Sequence, residues 1–378
     1  MSDIYEDSLS RHKQLAGKLE ISLKDTLDSA AKLNLYYTPG VAAVSSYIAK
    51  HPDAARDYTW KGNNVAIVSD GSAVLGLGNI GPLGALPVME GKAMLFKQFA
   101  NIDSVPIVLS SKSPDDIIAT VTAIAPSFGG INLEDIKAPE CFYVEEELKK
   151  RLGIPVFHDD QHGTAVVVLA GLINAAKVTD RNLKLSKVVI IGAGAAGSAT
   201  AKLLYRYGIT NIVVVDRTGV IHKSRDNLNS DKKYLAEITN PDEHIKSLDD
   251  SLIGADVVIG VSQPGMIKPT NVEAMADNPI IFAMANPEPE IMPDKARQAG
   301  AAVIATGRSD LPNQVNNALA FPGIFRGALD NKISNITDEH KLSTAKVIAG
   351  LVENPTAENI IPSVIDKRLV PAIASVIK

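Results

Sequence analysis

Lys187-Val188-Val189-Ile190-Ile191-Gly192-Ala193-Gly194-Ala195-Ala196-Gly197 is the stretch whose reading decides the fold. The β-branched run up to Ile191 reads as a strand, the continuation through Leu203 reads as a helix, and the G-x-G-x-x-G between them is the phosphate-binding turn of a dinucleotide-binding βαβ unit. In that turn Gly192 permits the tight bend, Gly194 lets a pyrophosphate approach the backbone, and Gly197 allows close helix–strand packing; Ala193, Ala195 and Ala196 complete the cofactor-binding loop. The phosphates then lie at the helix N-terminus, where unpaired N–H groups and the helix dipole favour negative charge. A second strand, Asn211 to Val215, ends at Asp216. That is about 20 residues past the fingerprint, where a carboxylate hydrogen-bonds ribose hydroxyls and repels a 2′-phosphate. Asp216 therefore argues for NAD over NADP, although Arg217 beside it offers a guanidinium that could hold the same phosphate.

Outward from this unit, short β-branched runs at 65–68, 106–109, 154–157, 212–215, 257–259, 280–282 and 302–304 alternate with longer helical stretches. Continuous apolar strands followed by helices form parallel sheets covered on both faces. The expected class is α/β, with an N-terminal α/β domain ahead of a Rossmann-type, doubly wound NAD(P)-binding domain. A composition shift near Asp160, from Gly- and Pro-rich to one long apolar helix, places the domains at 1–162 and 163–307. Residues 308–378 are expected to complete the cleft and pack back through two amphipathic helices near Lys341 to Glu353 and Leu369 to Lys378. Thr218 to Asn229 reads as the most mobile surface loop.

Composition removes several function classes. The 378 residues carry 38 Lys+Arg against 43 Asp+Glu, a formal net charge of -5, which gives no bulk attraction to nucleic acid or an anionic membrane. The one cysteine, Cys141, forbids an intrachain disulfide or a cysteine-built metal cage and fits a reducing compartment. Charges run through the first thirty residues without an apolar h-region. The longest apolar stretch, Gly163 to Ala176, is interrupted by Thr164 and Asn174 and is too short to span a bilayer. The expectation is a cytoplasmic protein with neither a nucleic-acid nor a membrane partner.

The first domain offers candidate chemistry and two decoys. Gly91-Lys92 lacks the first glycine and the following hydroxyl of a P-loop, since position 86 is leucine and position 93 alanine. His158-Asp159-Asp160-Gln161-His162 spaces two histidines as zinc sites do, but lacks the glutamate and starts at a strand end. The hard-oxygen donors Glu134, Asp135, Asp159 and Asp160 suit Mg²⁺ or Mn²⁺ better. Adjacent strand residues point to opposite faces, so Glu134 and Asp135 can meet one ion only at a strand end or turn. Taken alone, each carboxylate reads more readily as a cap or a solvated surface group than as a ligand. Tyr36-Tyr37-Thr38-Pro39-Gly40 is an aromatic cluster whose tyrosine packs with its hydroxyl in water or donates a proton beside a lysine and a metal.

Taken together, Tyr37-Thr38-Pro39-Gly40-Val41-Ala42, Ser69-Asp70-Gly71 running to Leu75-Gly76-Leu77-Gly78-Asn79, Glu90-Gly91-Lys92, Asn132 to Ile136 and His158 to Ala165 resemble the small prokaryotic malic enzymes, the oxaloacetate-decarboxylating malate dehydrogenases. The resemblance continues through Asn286-Pro287 and Asn316-Asn317-Ala318 and covers roughly residues 30 to 330. It implies a malic-enzyme-type N-terminal domain and oxidative decarboxylation of L-malate to pyruvate and CO₂, with reduction of NAD (or NADP) and a requirement for Mg²⁺ or Mn²⁺. Carried over by position, Glu134, Asp135 and Asp160 are the metal ligands, Lys92 the general base oriented by Asp159, and Tyr37 the general acid. Asn286 and Asn317 match substrate and nicotinamide contacts. Large eukaryotic members have an arginine on the substrate carboxylate where this chain has Ala73, which leaves Ser72 or nearby backbone N–H groups as candidates for that role.

Two alternatives share these residues: malolactic conversion of malate to lactate with retained NAD, and a non-catalytic dinucleotide sensor. The resemblance also favours a homodimer. Leu15, Leu19 and Leu23, at helical spacing within Ser8 to Leu27, could serve as a packing face.

Overall fold

The computed structural model describes residues 4–74, 76–111, 113–243 and 247–378, so Leu75 of the motif above lies outside the described residues. Its ten strands form two sheets. The first joins β1 (Asn64–Ser69), β2 (Asp103–Val108), β3 (Gly130–Leu133) and β4 (Val156–His158) in the order β2-β1-β3-β4, all parallel. The second joins β5 (Val188–Ile191), β6 (Ile212–Asp216), β7 (Gly219–Val220), β8 (Val257–Gly260), β9 (Ile280–Ala283) and β10 (Val303–Thr306) in the order β10-β9-β8-β5-β6-β7. It is parallel except where the short β7 returns antiparallel to β6. Its order reverses around β5, the switch point beside which α/β sheets bind their ligands.

Side-chain parity divides the core into three. Val65 and Ile67 of β1 and Val188 and Ile190 of β5 face one inner core shared by both sheets. The residues between them face outward, Ala66 and Val68 into a core behind the first sheet, Val189 and Ile191 into one behind the second. This is the alternation that a strand buried on both faces imposes. Running through the inner core is the helix Asp159–Val178, with buried residues on nearly every side. Its Asn174 is fully buried and donates to Ala349 O and Ile360 O at 2.8 and 3.0 Å, so the polar residue that interrupts the apolar run ties the C-terminal segment to the core. The aromatic rings of Phe321 and Phe325, in the helix Phe321–Asp330, close on Phe96 with centroids 4.7 and 5.4 Å away.

Two expectations change. The helix Ile4–Leu15 stops where Ala16 and Gly17 take positive φ, 54° and 113°. Leu19 and Leu23 therefore lie beyond it and are exposed. No residue of the helices Ile4–Leu15, Ala30–Tyr36 or Val41–Lys50 is buried. The segment Thr218 to Asn229, read as a mobile loop, is instead pinned. Asp216 Oδ1 accepts from the Thr218 N–H and hydroxyl at 2.9 and 2.8 Å and from Arg225 at 3.0 Å. Its Oδ2 accepts from Arg225 at 3.1 Å and Lys232 at 2.6 Å. Burial alone would raise the Asp216 pKa; the bonds from Arg225, Lys232 and Thr218 outweigh it and hold the carboxyl well below the usual range.

The unfolded carboxyl titrates at about 3.9. Because the folded one titrates lower, its stabilisation is complete above that value and is lost as pH falls from there toward the folded pKa. Asp216→Asn should therefore lower the melting temperature at pH 7, and the gap to the wild type should narrow in melts recorded below pH 4. A gap that stays constant with pH would show that the ion pairs contribute nothing.

Candidate active site

The helix Gly81–Ala100 buries Ala85, Met89, Lys92, Ala93, Phe96 and Ala100. That three-and-four spacing places Lys92 on the inward stripe, where a lysine needs partners. They come from the carboxyl ends of two neighbouring strands. Lys92 Nζ donates to Glu134 Oε1 at 2.5 Å and to Asp159 Oδ2, with its ammonium 4.4 Å from the Phe321 ring centroid. Glu134 follows the end of β3, and its other oxygen accepts from Asn132 Nδ2 at 3.0 Å. Asp135 stands in a left-handed turn, φ 54°, which resolves the opposite-face difficulty. Its backbone N–H donates to Asp160 Oδ2 at 2.7 Å. Asp159 and Asp160 form the first turn of the long helix after β4, so only His158 of that motif belongs to the strand. Gly163 is required one turn on, because a Cβ there would come 1.9 Å from Asp159 Oδ1.

Charge is unbalanced here. Burial disfavours the Lys92 ammonium, yet Asp159, Glu134 and Asp160 outweigh it and raise its pKa above the ordinary lysine value. Burial pushes Asp159 up to about 6 against the pull of Lys92. Burial likewise raises Glu134 and Asp160, and Asp160 adds repulsion at Glu134. Asp159 Oδ1 and Asn132 Oδ1 are buried without a hydrogen-bond partner. An oxygen-only donor set with surplus negative charge fits a hard divalent cation. As the side chains stand, no three His, Cys, Asp or Glu among the described residues converge at binding distance.

Above this cluster opens a cleft of about 600 Å³. It is lined by Ala73, Ile136, Asp160 and Thr164, by the Gly194-Ala195-Ala196 turn, by the strand-end loops 261–264 and 284–286, and by Asn316 and Asn317. The predicted contacts Asp160, Asn286 and Asn317 thus meet in one space. A Cβ on Gly197 would lie 1.9 Å from Gly192 O, whereas one on Gly194 meets nothing within 4 Å. The helix Ala195–Tyr207 begins at Gly194 without a side-chain cap. Its first N–H groups and the space above Gly194 fit a pyrophosphate.

Three expected residues behave differently. Tyr37 is 67% exposed and is not among the residues lining the cleft. Asp216 has both oxygens committed to Arg225, Lys232 and Thr218, partners that carry no local motif in the sequence. The Ser72 hydroxyl is also taken, donating to Asp70 Oδ1 at 2.6 Å and accepting from the Lys137 N–H at 3.0 Å. Sequence reading also missed Glu145, on a separate helix, whose carboxylate takes the His158 N–H, the Gln161 amide and the His162 ring and so braces the Asp159–Asp160 turn.

The malic enzyme N-terminal domain model matches residues 16–149 and the malic enzyme NAD-binding domain model residues 161–376. The chain is 53% identical over 375 residues to the bifunctional malic/malolactic enzyme of Bacillus subtilis, covering 98% of this chain and 92% of that protein. It is 54% identical over 361 residues to the NAD-dependent malic enzyme of Geobacillus stearothermophilus, covering 95% and 75%. The crystal structure of the NAD-dependent malic enzyme of Thermotoga maritima superposes with a TM-score of 0.95 at 49% identity, covering 98% of each chain. A lysine held between carboxylates facing a dinucleotide turn, matched along nearly the whole sequence, makes this chain a member of the malic enzyme family.

Proposed function

We propose that this chain catalyses the divalent-metal-dependent oxidative decarboxylation of L-malate to pyruvate and CO₂ with reduction of NAD. The observation that carries this reading is Lys92, buried between Glu134 and Asp159 in a cluster whose Asp160 lines the same cleft as Gly194, Ala195 and Ala196 of the G-x-G-x-x-G turn. In its neutral form, which a divalent cation among these carboxylates would favour, Lys92 takes the C2 hydroxyl proton as hydride leaves C2 for the nicotinamide, and Asp159 holds the ammonium that forms. The C3–C4 bond then breaks, CO₂ departs, and its electron pair passes to an enolate that is protonated at C3 by Tyr37. The proton taken at O2 balances the one delivered at C3, so malate and NAD⁺ give pyruvate, CO₂ and NADH with no net proton. Glu134, Asp135 and Asp160 would hold a Mg²⁺ or Mn²⁺, which would supply Lewis-acid stabilisation of negative charge on the substrate. Asn286 and Asn317 offer both donors and acceptors to substrate and nicotinamide.

NAD is the preferred cofactor, supported by the name of the Geobacillus relative. A relative from Halomonas elongata, 47% identical, is named NADP-dependent. The boundaries 1–162, 163–307 and 308–378, a cytoplasmic location and a homodimer complete the proposal. A second copy would cover the N-terminal helices, which expose Leu35, Val41, Val44 and Tyr47 beside Tyr37. Tyr37 can act only when that arm lies against a cleft. Malolactic conversion is the second reading, favoured by the name of the Bacillus relative.

Purified protein given L-malate, Mn²⁺ and NAD should accumulate NADH and pyruvate; lactate without free NADH would select the malolactic reading, and no turnover would refute both. Lys92→Ala should cost malate oxidation about 10²- to 10⁴-fold, the range of a lost general base. Tyr37→Phe should spare hydride transfer more than C3 protonation, visible as oxaloacetate reduction outlasting pyruvate formation. In thermal melts, Mn²⁺ at a hundredfold excess over its Kd should stabilise the protein by about 2.7 kcal/mol. Asp160→Asn should abolish that shift; an unchanged shift would move the metal elsewhere.

A further inference from the structure

Glu290 is a fully buried carboxylate that the reaction does not use. No described lysine, arginine or histidine pairs with it. Its Oε1 accepts from the Ser262 N–H and its Oε2 from the Ala285 N–H, each at 2.9 Å. Ser262 lies in the loop that leaves β8 and Ala285 in the loop that leaves β9, and both loops line the cleft. One carboxylate thus straps two neighbouring strand-end loops together. The strap has a requirement at the end of β8: a Cβ on Gly260 would lie 2.4 Å from Glu290 Cδ. Burial raises the Glu290 pKa, and the peptide N–H groups around it, Ala285 and Ser262 foremost, oppose that rise. An unpaired carboxylate in a core is costly, and apolar packing alone would fill the same space.

Position in the sheet says what the strap serves. In a doubly wound domain the pyrophosphate sits over the central turn, here Gly192 to Gly197, and the two halves of the cofactor extend to either side of it. Asp216, at the end of β6, marks the adenosine side, so β8 and β9 lie on the nicotinamide side, with Asn286 next to Ala285. We infer that Glu290 is a positioning residue for the nicotinamide half of the cofactor, fixing the 261–264 and 284–286 loops at the separation the ring requires. This inference rests on the NAD-dependent reading above. Glu290 touches neither cofactor nor substrate, and it acts through the two backbone N–H groups it holds.

The test is binding, measured without malate or metal so that failure of the catalytic reading leaves it intact. Glu290→Gln keeps the shape but sets an amide donor against one of the two N–H groups, releasing one loop. NADH, titrated by its fluorescence, should bind the variant about tenfold more weakly, the size expected for a lost bond to a charged acceptor. ADP-ribose, which lacks the nicotinamide, should keep its affinity within about twofold in calorimetry. Equal weakening of both ligands would assign Glu290 a purely structural role, and unchanged NADH affinity would also overturn the inference. Should the variant fail to fold, hydrogen exchange on the wild type decides the question. The Ser262 and Ala285 amides should gain protection from NADH but not from ADP-ribose, and equal protection by both ligands would refute the inference. Wild-type protein that binds neither ligand would refute the NAD reading itself.

Discussion

The rest of the site depends on one buried ammonium. Lys92 stands on the inward stripe of its helix, and that position is tolerable only because carboxylates from two other elements meet it. Removing either side of such a pair strands a charge and typically costs about 3–5 kcal/mol. The requirement fixes how β3 and β4 end, because Glu134 and Asp159 must both leave their strands aimed at the same nitrogen. The turn at Asp135 and the glycine at 163 follow from that aim. More negative charge is gathered than one lysine neutralises. That excess suits the cluster to the hard cation of the proposed reaction and holds the Lys92 pKa above the ordinary lysine value.

Two other acidic residues show how the same fold handles a carboxylate in different surroundings. Asp216, at the end of β6, is saturated by two cations and a threonine, which depresses its pKa and anchors the following loop. A saturated carboxylate has less to offer a ribose, and the cations beside it soften its repulsion of a 2′-phosphate. The carboxylate at 216 therefore does not by itself argue for NAD. Glu290 has no cation partner among the described residues and accepts from the peptide N–H groups of Ser262 and Ala285. Its carboxylate holds main chain to main chain, which joins loops that carry different contacts of the same cleft.

Much of the architecture could be read from periodicity. Runs such as Val188 to Ile191 are apolar at every position because alternate side chains enter different cores, and the local chain records that burial directly. Where the local signal is diluted, reading fails. β3 is Gly-Ile-Asn-Leu, and its asparagine hides the strand while serving Glu134. Leu19 and Leu23 keep helical spacing past Gly17, yet spacing cannot outweigh a backbone that turns left-handed there.

By itself the sequence determined the α/β class, the dinucleotide turn and the ordered motifs that place the chain among the malic enzymes, since each is carried by residues close together in the chain. Only the tertiary structure decided what those residues meet. Lys92 finds partners 42 and 67 positions away, Asp216 is claimed by Arg225 and Lys232, and Tyr37 lies outside the cleft. Such contacts depend on how helices and sheets dock, and docking is governed by the burial of whole faces, which no short window of sequence contains.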